Sequence, residues 1–276
     1  MMIEALQYEF MRNAVMAALL ASIACGIMGT LVVVNRMVFI SGGVAHGAYG
    51  GIGIAIFLGV SPLFGAMGFA VFLAIIMALI TLHRKQRVDT VIGALWAMGM
   101  ATGLIFIDLT PGYNVDLMSY LFGSILFIPK TDIWTMMALN AVIVGIVVFF
   151  YKDFLALSFD DEYARLMGVP VTTLYMLLLI LTALTVVVVM RSVGLILVIA
   201  LLTIPPYIAE HFAGSLRRTM VLSVTLNTVF TTTGLWLTYT FNIRSGATII
   251  MVAGTFFFLS MLGKYIHRKI ISAPPR

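Results

Sequence analysis

Nine stretches of about twenty mostly apolar residues follow one another along the chain, at roughly 11–34, 38–59, 62–82, 90–108, 132–151, 172–190, 193–213, 219–241 and 246–265. About twenty such residues in helical form cross the hydrocarbon core of a bilayer. No water is present there to satisfy backbone N–H and C=O groups, so each stretch must be a helix that bonds to itself. The fold class that follows is an all-α integral membrane protein, a polytopic helical bundle of eight or nine transmembrane helices. The count is eight if the second stretch, which is short and rich in glycine, is broken or partly re-entrant. Only 10% of the residues are charged and the mean hydropathy is +1.12, whereas a soluble domain carries about 25% charged residues. Residues 1–276 therefore read as one transmembrane domain. No hydrophilic stretch could form a separate soluble domain and no Walker-type phosphate loop is present, so any nucleotide chemistry belongs to another chain.

Basic residues set the orientation. Arg36 follows the first stretch, Arg84, Lys85 and Arg87 the third, and Lys152 and Arg165 the fifth. Arg217 and Arg218 follow the seventh, and Lys264, Arg268, Lys269 and Arg276 end the chain. With nine spans all of these fall on one side, and they make up twelve of the sixteen lysines and arginines. The expectation is a multi-pass protein of the cell (inner) membrane with its N-terminus outside and its C-terminus in the cytoplasm. The net charge of +5 reflects this topology and is no nucleic-acid signal. Glu4 and Glu9 stand where a cleaved leader would carry positive charge. Ile3, Leu6, Phe10 and Met11 give the segment before the first span a weak amphipathic face that would lie along the outer surface. A semi-apolar stretch from Leu117 to Ile128 predicts a short helix tucked into the outer leaflet. Cys25, the single cysteine, excludes an intrachain disulfide and any multi-cysteine metal site.

The longest inner loop, 153–171, reads DFLALSFDDEYARLMGVPV. Asp160 or Ser158 is a candidate N-cap, acidic residues fill the first turn, and Gly168 followed by Pro170 ends a short helix over 160–167. Phe159, Tyr163 and Leu166 would share one apolar face. Two readings are open: a loop packed on its own bundle, or a helix that docks into a partner.

Two ionisable residues, His46 and Glu210, fall inside segments that otherwise read as membrane-buried, a placement that points to a substrate or ion pathway. A neutral imidazole is a common ligand for transition metals. A structural histidine bonded to a neighbouring helix is the alternative. Around His46 run Gly42, Gly43, Gly47, Gly50, Gly51 and Gly53. Their small size permits either close helix packing or a backbone-lined path. Pro205 and Pro206 remove two backbone donors from the helix that carries Glu210 and free carbonyls near a kink. Glu210 and its neighbour His211 also have a simpler reading, a helix end in which Glu210 pairs with Arg217. Asn140 and Asn227, both mid-span, suit interhelical hydrogen bonds. Asp108 and Arg191 suit the interface. Thr228, Thr231, Thr232 and Thr233 either line a path or bond to their own helix.

Four segments resemble, in order, the membrane permease subunits of ATP-binding-cassette importers for zinc, manganese and iron. FDDEYARLMGVPV is similar to that family's cytoplasmic loop. MGTLVVVNRMVFISGGVAHGAYGGIGIA resembles the junction of its first two spans, where an Arg-Met pair precedes a glycine-rich helix with a histidine. VGLILVIALLTIPPYIAE and IRSGATIIMVAGTFFFLS resemble its later spans. The resemblance implies a homodimeric permease seated on a cytoplasmic ATPase dimer and fed by an extracytoplasmic metal-binding protein. The implied fold is that of the cobalamin and siderophore importer permeases. It makes 153–171 the coupling loop, with Phe159, Asp160, Glu162, Tyr163, Ala164 and Gly168 as coupling residues. No cofactor is expected to be bound permanently; the divalent metal ion is cargo.

The chain departs from the family at one position. Many members carry a carboxylate four residues before the histidine, on the same helix face. Here that position is Gly42. The expectation is that Glu210 supplies the missing carboxylate across a dimer-lined path, giving a transient site of His46, Glu210 and His211. Gly42, Gly43, Gly47, Pro205 and Pro206 would shape the helix break and the path. A histidine–carboxylate set suits zinc, manganese and ferrous iron alike. An ion-coupled carrier or channel is the alternative, though it needs its own coupling groups and the chain lacks a convincing internal repeat. An intramembrane metalloprotease would need a pattern such as H-E-x-x-H, which is absent.

Overall fold

A computed structural model describes residues 7–83, 88–111, 125 and 128–271. The described residues form twelve helices and no strand. In chain order they are α1 (Glu9–Val34), α2 (Val38–Gly47), α3 (Tyr49–Phe57), α4 (Pro62–His83), α5 (Val88–Asp108), α6 (Lys130–Phe149), α7 (Tyr151–Phe159), α8 (Asp161–Leu166), α9 (Val171–Val193), α10 (Leu195–Phe212), α11 (Leu216–Phe241) and α12 (Ser245–Ile271). Nine spans long and apolar enough to cross a membrane lie among the described residues, and α2 with α3 forms the second of them. That span is interrupted at Ala48, but only slightly. Ala48 keeps right-handed helical angles and its N–H still donates to the Val44 carbonyl at 2.9 Å. The glycine-rich stretch is thus long and apolar enough to span, and the described residues hold nine such spans.

Two groups of helices stand out, and α9 packs against members of both. α1 packs along α6, α10 and α11. The α2–α3 span nests between α4 and α5, and α4 packs along α9. Small residues allow both arrangements. A Cβ at Gly26 would meet the Val224 backbone on α11, and one at Gly29 would meet Pro206 and the Leu202 carbonyl on α10. In the second group, Gly51 faces the Gly65 carbonyl of α4, while Gly47 and Gly53 face Gly99 and Gly103 of α5. Over eighteen-residue stretches 78% of the α2–α3 span is buried, against 22% of α5 and of α12, which form the periphery.

Several polar side chains inside the bundle donate hydrogen bonds to backbone carbonyls. Pro205 has no N–H to give the Leu201 carbonyl one turn earlier. Asn227 of α11 supplies that donor, with its Nδ2 3.2 Å from the Leu201 oxygen. Asn140 bridges α6 to α1, donating to the Leu20 carbonyl at 3.1 Å. Both asparagines therefore make the interhelical bonds expected of them. Thr228, Thr231 and Thr232 donate to carbonyls of their own helix, and Thr231 also meets Ser22 of α1 at 3.2 Å. Cys25 is a buried free thiol.

Several local expectations change. Phe10 and Met11 belong to the first turns of α1 rather than to a surface segment before it, and Met11 is buried; residues 1–6 are outside the described set, as is most of Leu117–Ile128. Arg191 is not merely interfacial, since its Nε lies 3.0 Å from a buried Asp132 carboxylate and ties the end of α9 to the start of α6. The inner loop contains two helices where one was expected. α7 forms because Phe154 and Leu157, three apart, bury one face.

Candidate metal path and coupling helix

The short helix α8, the candidate coupling helix, closes at both ends by local chemistry. Asp160 is the N-cap of α8, accepting from the Tyr163 N–H at 2.9 Å. Ser158, the other cap candidate, instead donates to the Phe154 carbonyl and accepts from Asn35 Nδ2 at 3.0 Å. At the far end Gly168 takes φ +81°. Its N–H donates to Arg165 O, and that of Val169 to Ala164 O. This is a Schellman closure, for which glycine is the favoured residue. Ala164 is fully buried against the bundle, whereas Phe159, Tyr163, Leu166 and Met167 are 59% to 85% exposed. The helix is held from beneath and offers an apolar face to solvent; Glu162 lies in its first turn.

Between α1, α2, α5 and α10 lies a cavity of about 770 Å³. Its walls include Val34 and Arg36 at the end of α1, Phe39 and Gly42 of α2, Trp96 of α5, and Tyr207 with Glu210 of α10. Ile199, Tyr207 and Glu210 share a face of α10 because they sit eight and three residues apart. Gly42 differs from the other glycines of its span in that a Cβ there would meet no atom within 4 Å. The two positions linked on sequence grounds, the vacant Gly42 and the carboxylate Glu210, thus open onto one space.

His46 lies behind that wall rather than on it. Its ring stacks on Trp96 with centroids 4.1 Å apart and planes 15° from parallel. Its Nδ1 is buried and has no hydrogen-bond partner among the described residues, and the ring meets the neighbouring α5 through Trp96. His211 is exposed and turned back on its own helix, with Nδ1 2.7 Å from the Tyr207 carbonyl. Glu210 forms no ion pair with Arg217 among the described residues, and Arg217 lines a different groove with Ile23, Val144 and Val221. Among the described residues no three His, Cys, Asp or Glu side chains come together. The described residues of this chain therefore offer at most a loose, incomplete ligand set.

Gly43 and Gly47 are packing positions, where a Cβ would collide with Ile92 and Leu73 respectively. Pro205 and Pro206 are buried inside a continuous α10 and act on its packing with α1 and α11. Sequence reasoning did not identify Arg36, Trp96 or Tyr207 as wall residues. Only Tyr207 had a readable signal, its place one turn before Glu210.

Residues 7–264 match the model of the ABC 3 transport family. An uncharacterised membrane protein of Synechocystis sp. is 50% identical over 260 residues, covering 94% of this chain and 92% of that one. The manganese transport system membrane protein MntC of Listeria monocytogenes is 30% identical over 257 residues, covering 93% and 91%. The structure of PsaBC from Streptococcus pneumoniae in complex with Fab superposes with a TM-score of 0.83 at 32% identity, covering 94% of each chain. Nine spans in this arrangement and a match along almost the whole length lead to one conclusion: the chain belongs to the ABC 3 transport family.

Proposed function

We propose that this protein is the membrane permease subunit of an ATP-driven importer of divalent transition metal ions, with manganese the leading cargo and zinc and ferrous iron the competitors. The MntC relative supports manganese by its name, and a nitrogen–oxygen ligand set admits all three ions. The permease hydrolyses nothing itself. A cytoplasmic ATPase dimer docks on the exposed face of α8, around Phe159, Tyr163 and Leu166, and its closure switches the bundle between outward and inward states. An extracytoplasmic metal-binding protein delivers the ion. Two copies pair so that the exposed Glu210–His211 face lines a shared path, and the little-buried α5 and α12 supply surface for that pairing. The N-terminus is outside and the C-terminus cytoplasmic.

The observation that carries the reading is the single cavity shared by Gly42, Glu210 and the tryptophan that stacks on His46. Glu210 supplies the charge, His46 and His211 supply imidazole nitrogens, and the incompleteness of the set lets the ion leave. Conduction needs binding strong enough to enter and weak enough to exit. Uptake of manganese, zinc and iron in competition, by vesicles containing the permease and its ATPase partner, tests this. With Glu210→Gln, assembly and ATP hydrolysis should persist while uptake falls by about tenfold or more, the scale of losing a ligand-supporting group. Unchanged uptake would reduce Glu210 to a helix-end charge.

A further inference from the structure

The inner end of α1 carries a conformation that the fold alone would not select. The helix closes with a second Schellman motif, in which the N–H of Arg36 donates to Val33 O at 3.0 Å and that of Met37 to Val32 O at 2.8 Å. Arg36 occupies the left-handed position of this motif, with φ +56°. Glycine is the usual residue there because a Cβ crowds the following carbonyl. An arginine there is less favourable than glycine, an outlier that raises the question of what its side chain does.

Its location indicates an answer. Arg36 lines the metal-path cavity together with Glu210, and it also lines a second cavity of about 600 Å³ at the base of the coupling helix. The second cavity carries Asp89, Asp160, Asp161 and Glu162, together with Arg165. Arg36 thus borders one cavity lined by Glu210 and another lined by Asp89, Asp160, Asp161 and Glu162, and it makes no ion pair among the described residues. The adjacent Asn35 holds Ser158 at 3.0 Å, just before the coupling helix. One hydrogen bond thus links the residue beside Arg36 to α7, which leads directly into the coupling helix.

We propose that Arg36 is the inner electrostatic gate of the path. Swung toward Glu210, its charge repels a divalent cation and occupies the carboxylate that would receive it. Swung toward the acidic residues at the coupling helix, it opens the exit. The element has two positions, and the coupling loop biases the choice between them. Arg36 acts here as a gating and positioning residue. The inference rests on the transport reading above and adds a regulatory step to it.

The test uses proteoliposomes holding the permease with its ATPase partner and a manganese-quenched dye inside. Arg36→Gly and Arg36→Gln should raise manganese flux without ATP by at least about fivefold, the lower end of ordinary site-to-site coupling. Arg36→Lys, which keeps the charge, should keep the leak low. The thermal midpoint of Arg36→Gly should equal or exceed that of wild type, because glycine suits the left-handed angle; a merely structural arginine would lower it. If wild type transports metal and Arg36→Gly and Arg36→Gln leak no more than it does, the gate is refuted and the transport reading stands. A wild-type complex that moves no divalent metal overturns both.

Discussion

Gly53 and Gly42 lie on one span but in opposite surroundings, and alanine at each gives a quantitative test of the packing. A Cβ at Gly53 would lie 2.6 Å from the Gly103 Cα and 2.8 Å from its carbonyl carbon, and would also run into the carbonyl oxygen. All of these are backbone atoms, so no side chain can swing aside and α3 must move off α5. Overpacking of this kind costs about 1–3 kcal/mol, and backbone neighbours put Gly53 at the upper end. Replacing a helical glycine by alanine returns about 1 kcal/mol of propensity, which leaves a net loss of about 2 kcal/mol. At Gly42 the same propensity gain meets open space, so the expected change is a gain of up to about 1 kcal/mol. For a chain of this size 1 kcal/mol moves the thermal midpoint by about 2–4 °C. Scanning fluorimetry in one detergent should show Gly53→Ala melting several degrees below wild type and Gly42→Ala at or slightly above it. Equal destabilisation by the two would mean that Gly42 does not face a cavity, and the proposed path wall would be wrong.

Three further substitutions probe the site and its supports. Gly42→Asp in a Glu210→Gln background should restore metal uptake at least in part, because the new carboxylate enters the same cavity; uptake that stays low in the assembled double variant would separate the two positions functionally. Asn227→Leu strands the Leu201 carbonyl freed by Pro205 and should cost about 0.6–1.7 kcal/mol, the range for interhelical hydrogen bonds in membranes, read as an earlier midpoint in detergent unfolding. Arg191→Met leaves the buried Asp132 carboxylate without its cation. Severing a fully buried pair costs about 3–5 kcal/mol, and the partial exposure of Arg191 reduces this to about 2 kcal/mol, checked against the milder double variant Arg191→Met with Asp132→Leu.

The spans were legible because hydrophobic length is a local property, and every one of the nine could be placed within a few residues. Gly168 was legible for the same reason, since a glycine followed by Val-Pro closes a helix whatever surrounds it. α7 was not, because Tyr151–Phe159 follows directly on an apolar span and its turn at Phe150 leaves no proline or glycine in the sequence. Asp160 and Ser158 were equivalent as caps until Asn35, far away in the chain, engaged Ser158. The expected carboxylate exchange between Gly42 and Glu210 came from one departure in a motif, and the fold places both on one cavity. The Trp96 that covers His46 carried no sequence signal, because an aromatic residue inside a span is ordinary packing until its neighbour is known.

These placements bear on how such a bundle could move. α1, α6, α10 and α11 form one packed group, locked where Gly26 meets Val224 and Gly29 meets Leu202. The α2–α3 span with α4 and α5 forms another, locked at Gly51 with Gly65 and at Gly53 with Gly103. Close-packed interiors transmit displacement rather than absorb it, so each group should shift as a body. The cavity lies on the seam between them, with Arg36, Tyr207 and Glu210 contributed by the first group and Phe39, Gly42 and Trp96 by the second. A small rotation of one group against the other changes the width of this seam while leaving both glycine contacts intact. The charged residues of the cavity are all on the α1–α10 side, and that side is joined to the coupling helix through Asn35 and Ser158. Under the proposed transport function, a displacement of the coupling helix would arrive first at the wall that carries the charge, which is the wall that would have to move for an ion to be released.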